Sequence, residues 1–448
     1  MSAPRRSIGS GQRGSGIVPL VLQFLLNHEK MFRIVGANWI GRFQPAPREA
    51  NNKMGFVRRL ITVFGMTVCM GITHSVAWAQ RPTPFCTASN CVKTRELLKN
   101  LCDFIVKNKA TYPTVYIGGY YMRTLVAGYE IFGDKQYLNA AVAYADYLLG
   151  RQMPNGFWRT GYGPVYMADT GSALGLMIVL DKHVDPEKRQ AYIRAVQHYV
   201  DSIQKDGMIH PWGAFATGWR ETKDDTLETP LYDQYTLSSA LTGGEIFTWM
   251  YHVTKKNEYR EISHRALGWV LGTMRADGNI PHILAEEGYD WDKRDDPKVA
   301  DGLWNSHTYG TSAYVGEGIL SFDLYCGKRS WQKWIEHAVK PNIEFLLRNQ
   351  LPDGTWSQLG AKSWDRTRSS GIVDYLIWYY EHVERDSRIV TAVQRFDAYI
   401  VNPENGKSYG LLNDGAEAPA NDSSFNSQTS LTGRTLADIL SPGVDARW

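Results

Sequence analysis

Four separate stretches of the chain gather carboxylates, a histidine and arginines among aromatic residues, and each runs into an apolar segment rich in small residues. The first is Tyr166-Met167-Ala168-Asp169-Thr170-Gly171, with Trp158 and Tyr162 upstream. Asp169 reads there as a catalytic carboxylate or as the N-cap of the following helix, a position Asp favours. The second holds Trp212, Trp219, Arg220, Glu221, Asp224, Asp225, Glu228, Tyr232 and Asp233. Carboxylates amid aromatics suit general acid–base work on a glycosidic bond. Asp224 and Asp225 read more simply as a solvated loop, whereas Asp233 stands directly before the apolar segment.

The third stretch is Trp304-Asn305-Ser306-His307-Thr308-Tyr309-Gly310. Asn, His and Tyr so spaced could neutralise a uronate carboxylate and supply a base and an acid, as β-elimination requires; the alternative is a hydrogen-bonded helix start. The fourth, Trp364-Asp365-Arg366-Thr367-Arg368-Ser369-Ser370, sets two arginines before its apolar segment. Arg binds carboxylates through two parallel hydrogen bonds, so Arg366 and Arg368 suit an acidic substrate; surface ion pairing is the competing reading. Trp158, Tyr166, Trp212, Trp219, Tyr232, Trp304 and Asn305 complete the candidate binding set, since Trp and Tyr offer an apolar face with a polar edge.

The elements that position these stretches repeat. Tyr147-Leu148-Leu149-Gly150-Arg151-Gln152-Met153-Pro154-Asn155-Gly156-Phe157-Trp158 matches Phe345-Leu346-Leu347-Arg348-Asn349-Gln350-Leu351-Pro352-Asp353-Gly354-Thr355-Trp356, with looser copies ending at Lys205-Asp206-Gly207 and Ala276-Asp277-Gly278. Each copy reads as a helix end closed by a glycine turn. Amphipathic helices are expected near 92–108, 134–150, 187–204, 257–274, 329–349 and 387–401. More apolar ones are expected near 119–132, 170–181, 236–252, 311–325, 371–384 and 428–440. No alternating run predicts a strand. An outer ring of amphipathic helices around an inner apolar ring is an all-α (α/α)6 toroid, six helical hairpins in one domain. The loops before the inner helices then collect at one rim, together with helix N-termini that favour negative charge.

The N-terminal region predicts export. Arg58 and Arg59 precede an apolar run from Leu60 to about Ile72, and Ala77-Trp78-Ala79 supplies a small-x-small cleavage pattern before Gln80. Residues 54–79 therefore read as a signal peptide with Met54 as initiator, 1–53 as a non-native extension, and 80–448 as the toroid. Met66-Thr67-Val68-Cys69 is a weak imitation of a lipidation motif. Ten of the 49 basic and two of the 46 acidic residues precede Gln80, which leaves a net charge of −5 on the remainder. No basic block survives, so nucleic acid is not an expected partner, and neither is stable membrane insertion. Of the remaining cysteines, Cys86, Cys91, Cys102 and Cys326, none has metal-ligand spacing, and no cofactor is expected. Export permits disulfides, and Cys86–Cys91 could close a small loop.

The hairpin pattern, and especially Val165-Tyr166-Met167-Ala168-Asp169-Thr170-Gly171, resembles the six-hairpin glycosidase superfamily and within it the unsaturated glucuronyl and rhamnogalacturonyl hydrolases. That resemblance implies a catalytic role for Asp169. Asp301-Gly302-Leu303-Trp304-Asn305-Ser306-His307-Thr308 is similar to the segment carrying the catalytic His of toroidal polysaccharide lyases, with Tyr309 or Tyr314 as the following Tyr. Glucuronyl epimerases have related helical domains, and the Gln…Asp-Gly-x-Trp turns are similar to squalene cyclase repeats. The absence of an Asp-x-Asp-Asp motif argues against a cyclase. The leading expectation is a glycoside hydrolase of acidic oligosaccharides using Asp169 and Asp233. The alternatives are a lyase using His307 and Tyr309, a uronyl epimerase, or a non-catalytic sugar-binding toroid.

Overall fold

The computed structural model describes residues 83–108, 115–159, 165–220, 229–285, 308–327, 332–356, 369–408 and 423–443. The readings made on residues 1–79 lie outside these, as do Trp304, Asn305, His307, Arg366 and Arg368.

Among the described residues, twelve long helices alternate in role. The outer ones are α1 (Ala88–Asn108), α3 (Lys135–Leu149), α5 (Pro186–Lys205), α7 (Asn257–Gly272), α9 (332–349) and α11 (Ser387–Ile400). The inner ones are α2 (Val115–Phe132), α4 (Met167–Leu180), α6 (236–254), α8 (Thr308–Cys326), α10 (Ser369–His382) and α12 (Ser423–Leu440). Each inner helix packs on the next, and α12 packs back on α2, so the inner ring closes. This is the (α/α)6 toroid expected from the repeats.

Composition explains both rings. In α5 the buried residues are Tyr192, Ala195, Val196, Tyr199, Val200 and Ile203, spaced to form one stripe. Aspartates at 134, 185 and 386 cap α3, α5 and α11, each accepting a backbone N–H of the first turn. Inner helices approach closely because small residues line their seams. A Cβ on Gly119 would sit 2.7 Å from the Ala173 backbone, and one on Gly318 would sit 2.5 Å from the Ala240 carbonyl oxygen. The middle of α6, Ser239–Ile246, is π-helical.

The turn that joins helix to helix recurs with the same hydrogen bonds. In Met153–Phe157, His210–Ala214, Arg275–Asn279 and Leu351–Thr355, the first N–H donates to the fifth carbonyl at 2.8–2.9 Å. The glycine N–H donates back to the first carbonyl at 2.9 Å in all four. Gly156, Gly213, Gly278 and Gly354 have φ of 86°, 106°, 93° and 93°, and a Cβ on any of them would strike the backbone of the next outer helix. In the third repeat the turn is therefore His210-Pro211-Trp212-Gly213, and not the expected Lys205-Asp206-Gly207, whose glycine only ends α5. The two copies most alike in sequence share more. Gln152 Nε2 donates to the carbonyls of Gly156 and Ala195, as Gln350 Nε2 does to those of Gly354 and Ala392. This motif bolts successive outer helices together.

Of two further features, the first departs from expectation and the second agrees with it. A four-stranded antiparallel sheet lies in the pre-helix segments: β1 (Val165–Tyr166), β2 (Ala216–Arg220), β3 (Thr229–Tyr235) and β4 (Leu284–Ala285), in that order. Two of its strands have only two residues, and β3 mixes polar and apolar residues on both faces, so no alternation is legible in sequence. Cys86 and Cys91 form a disulfide with Cα atoms 5.3 Å apart, at the start of α1. Among the described residues, no helix is long and apolar enough to cross a membrane.

Candidate active site at the rim

The sheet fixes the rim. Strand β1 leads directly into α4 and β3 into α6, so pairing through β2 sets the N-termini of these inner helices side by side. Paired residues share a face and successive residues alternate. Val165, opposite Trp219, is fully buried in the main core. Tyr166, opposite Gly218, lies on the other face with Tyr235, and both pack in a second apolar cluster with Tyr120, Ala168, Leu237, Leu241 and Tyr314. That cluster draws on α2, α4, α6 and α8, which meet only around the axis. The tyrosine face of the sheet is thus the axial face.

Asp233 shares this face with Tyr235, two residues along β3, and is half-buried. Asp169 sits in the first turn of α4 and is also half-buried, but it is not the N-cap. Tyr166 holds the cap position, three residues before Asp169, and makes no side-chain cap bond. Burial, and then the charge of Asp169, push the Tyr166 hydroxyl above its ordinary value. The Tyr166 and Tyr235 rings lie 6.2 Å apart, and the edge of His282 meets Tyr235 at 5.4 Å. His282 precedes β4 and was not singled out from sequence. The short connection from α7 to β4 carries no composition that marks it. Tyr309 lies in the first turn of α8, at the same rim.

The remaining aromatic candidates divide. Trp158 is 1% exposed, and its indole N–H donates to the Leu148 carbonyl at 2.7 Å, closing the end of α3. Trp219 is equally buried, stacked on Phe157 at 3.5 Å, with its N–H on Asp206. Both are core residues and not cleft walls, because the turn motif and the sheet's core face need large apolar fillers. Trp212 and Tyr232 are 49% exposed. However, Tyr232 and Gln234 alternate with Asp233 and Tyr235, and the Trp212 N–H is held by Gln234 at 3.0 Å. These two rings belong to the face of β3 turned away from the axis.

Beneath the rim, the axis holds an ion network that the sequence reading missed. Arg434 of α12 donates through Nη2 to Asp374 of α10 at 2.7 Å and to Glu317 of α8 at 3.0 Å. The Tyr120 hydroxyl of α2 reaches both Glu317 oxygens at 3.1 Å and Ser172 of α4 at 3.3 Å. Arg123 of α2 lies 3.6 Å from Glu317 and 3.7 Å from Glu245 of α6. All six inner helices contribute, and every charged member is buried. Arg123 and Arg434 pack over the Tyr120 ring at 5.0 and 5.5 Å. Gly175 makes the slot, since a Cβ there would lie 2.5 Å from Arg123 Nη1. Burial, and then the Glu317 charge, push the Tyr120 hydroxyl well above its ordinary value. The available signal was a charged residue well inside each of five apolar inner helices.

The rim can thus present two carboxylates beside a tyrosine-lined axis, over a floor held rigid by ion pairs. Among the described residues, no three His, Cys, Asp or Glu side chains gather as metal ligands. No family model matches the chain, and no curated protein matches it in sequence. Solved structures do match in fold. A polysaccharide lyase aligns with a TM-score of 0.54 at 13% identity, covering 78% of this chain and 97% of its own. A glycosyl hydrolase family 88 protein from Bacteroides vulgatus aligns with a TM-score of 0.52 at 14% identity, covering 77% and 99%. An inactive variant of an α-1,6-mannanase of Salegentibacter sp. HEL1_6, in complex with α-1,6-mannotriose, gives 0.54 at 12% identity over 78% and 99%. The chain has the toroidal fold of these three proteins.

Proposed function

We propose that this chain is a carbohydrate-active enzyme, a glycoside hydrolase that takes an acidic, uronate-containing oligosaccharide into the axial end of the toroid. The observation that supports the reading is the sheet, in which β1, leading into the helix turn of Asp169, and β3, carrying Asp233, both pair with β2. One carboxyl would protonate the leaving oxygen while the other activates water or attacks the sugar. Arg366 and Arg368 precede α10 in the chain, and with His307 they would meet the substrate carboxylate. The shared fold with two glycosidases and a lyase supports the carbohydrate class. Export through a leader cleaved after Ala79 belongs to the same proposal, and N-terminal sequencing of the secreted protein tests it.

A second reading, β-elimination by His307 and Tyr309, draws support from Tyr309 standing in the first turn of α8. One assay separates the two. Purified protein is offered saturated and unsaturated uronate oligosaccharides, and reducing ends are followed together with ultraviolet absorbance. New reducing ends without new absorbance support the hydrolase; absorbance that grows with the ends supports the lyase. Full activity in Asp169→Asn and Asp233→Asn would remove the hydrolase reading.

A further inference from the structure

The four equivalent turns differ at one position in a way that local structure does not explain. The residue before the glycine is Asn155, Asp277 and Asp353 in three of them. Asp277 and Asp353 use Oδ1 to accept the backbone N–H two residues on, each at 2.9 Å. That is the bond for which turns select Asp. In the third repeat the position is Trp212, which forgoes the bond and leaves 49% of a large ring exposed. Departures from local preference of this kind mark function.

The surroundings of Trp212 hold it still. One face of the indole stacks on His210, with centroids 4.8 Å apart and planes 21° from parallel. The indole N–H is taken by Gln234, itself 4% exposed. His210 is pinned through Nε2 to the Tyr232 carbonyl at 2.8 Å. The exposed ring of Tyr232 is anchored by its hydroxyl, which donates to the Asp206 carbonyl at 3.1 Å. The polar edges of both aromatics are thus occupied, and what remains for solvent is their apolar faces. A sugar ring, with C–H groups on one face and hydroxyls around its rim, fits such a surface.

We infer that Trp212 and Tyr232 form a second carbohydrate-binding platform on the face of β3 turned away from the axis, holding a remote segment of a polysaccharide by stacking. The inference rests on the carbohydrate reading above but not on Asp169 or Asp233 being catalytic. Its test measures binding alone. The native chain, Trp212→Asp and Tyr232→Ser are run through native gels containing mannan, β-glucan or polygalacturonate. Trp212→Asp installs the residue used in two sister turns, so its Tm should equal or exceed that of the native chain. Retardation by at least one polysaccharide should weaken by about tenfold or more, and less in Tyr232→Ser. Retardation unchanged in Trp212→Asp, no retardation of the native chain by any of the three, or a lowered Tm in Trp212→Asp would each overturn the platform. Lack of turnover in the native chain would instead count against the hydrolase and leave this result standing.

Discussion

The indole nitrogens of Trp158 and Trp356 donate to the carbonyls of Leu148 and Leu346, ten residues back in each case and both at 2.7 Å. The two tryptophans stand in corresponding turns of the second and fifth repeats, and each closes the C-terminus of an outer helix, α3 or α9. Removing either leaves a large cavity and a carbonyl without its donor. Trp158→Ala and Trp356→Ala should each cost about 3–5 kcal/mol, read by urea denaturation. Activity per folded molecule should hold. A Trp158→Ala protein that keeps its stability but loses substrate affinity would return Trp158 to the cleft.

Asp169 and Asp233 carry the proposed chemistry. General acid–base catalysis contributes roughly 10²- to 10⁴-fold, so Asp169→Asn and Asp233→Asn should lower kcat on that scale. Both residues are half-buried at the rim, so Tm should move little. Circular dichroism melts beside initial rates make the check.

The axial network predicts asymmetric costs. Arg434→Met strands the buried carboxylates of Asp374 and Glu317, and should destabilise by about 3–5 kcal/mol. Removing the charge with its partners, as in Arg434→Met with Asp374→Leu and Glu317→Gln, should recover a measurable part of that loss. A triple variant no more stable than the single one would mean that the network contributes through packing and not through its ions.

Asp397 of α11 predicts a pH dependence. It is fully buried and accepts from Thr94 of α1 at 2.6 Å, joining the last outer helix to the first. Burial pushes its carboxyl up to about 6, against the opposing effect of the Thr94 and Asn90 bonds. The folded state therefore holds this proton where the unfolded chain has lost it. The contribution to stability is greatest below the ordinary carboxylate range and is lost as pH rises towards about 6. Asp397→Asn should flatten this dependence and stabilise the protein above pH ~6, by up to about 3 kcal/mol. Melts from acid to neutral pH decide it.

Much of the architecture could be read from the residues alone. All twelve helices stand within a few residues of their expected positions, because apolar periodicity and glycine turns are local signals that survive in every repeat. The disulfide of Cys86 and Cys91 was one of the permitted pairings. Among the described residues, the strands that lead into α4 and α6 meet through β2, as a shared rim requires. Tertiary structure alone decided which side each rim residue faces. Trp158 and Trp212 flank corresponding glycine turns, one two residues after the glycine and the other just before it, and one fills the core while the other stands on the surface. Likewise Tyr232 and Asp233 are neighbours whose side chains part across β3, a strand defined by pairing with distant segments. The axial network is the clearest case. Arg123, Glu245, Glu317, Asp374 and Arg434 are scattered over three hundred residues, and only closure of the ring brings their charges within reach of one another.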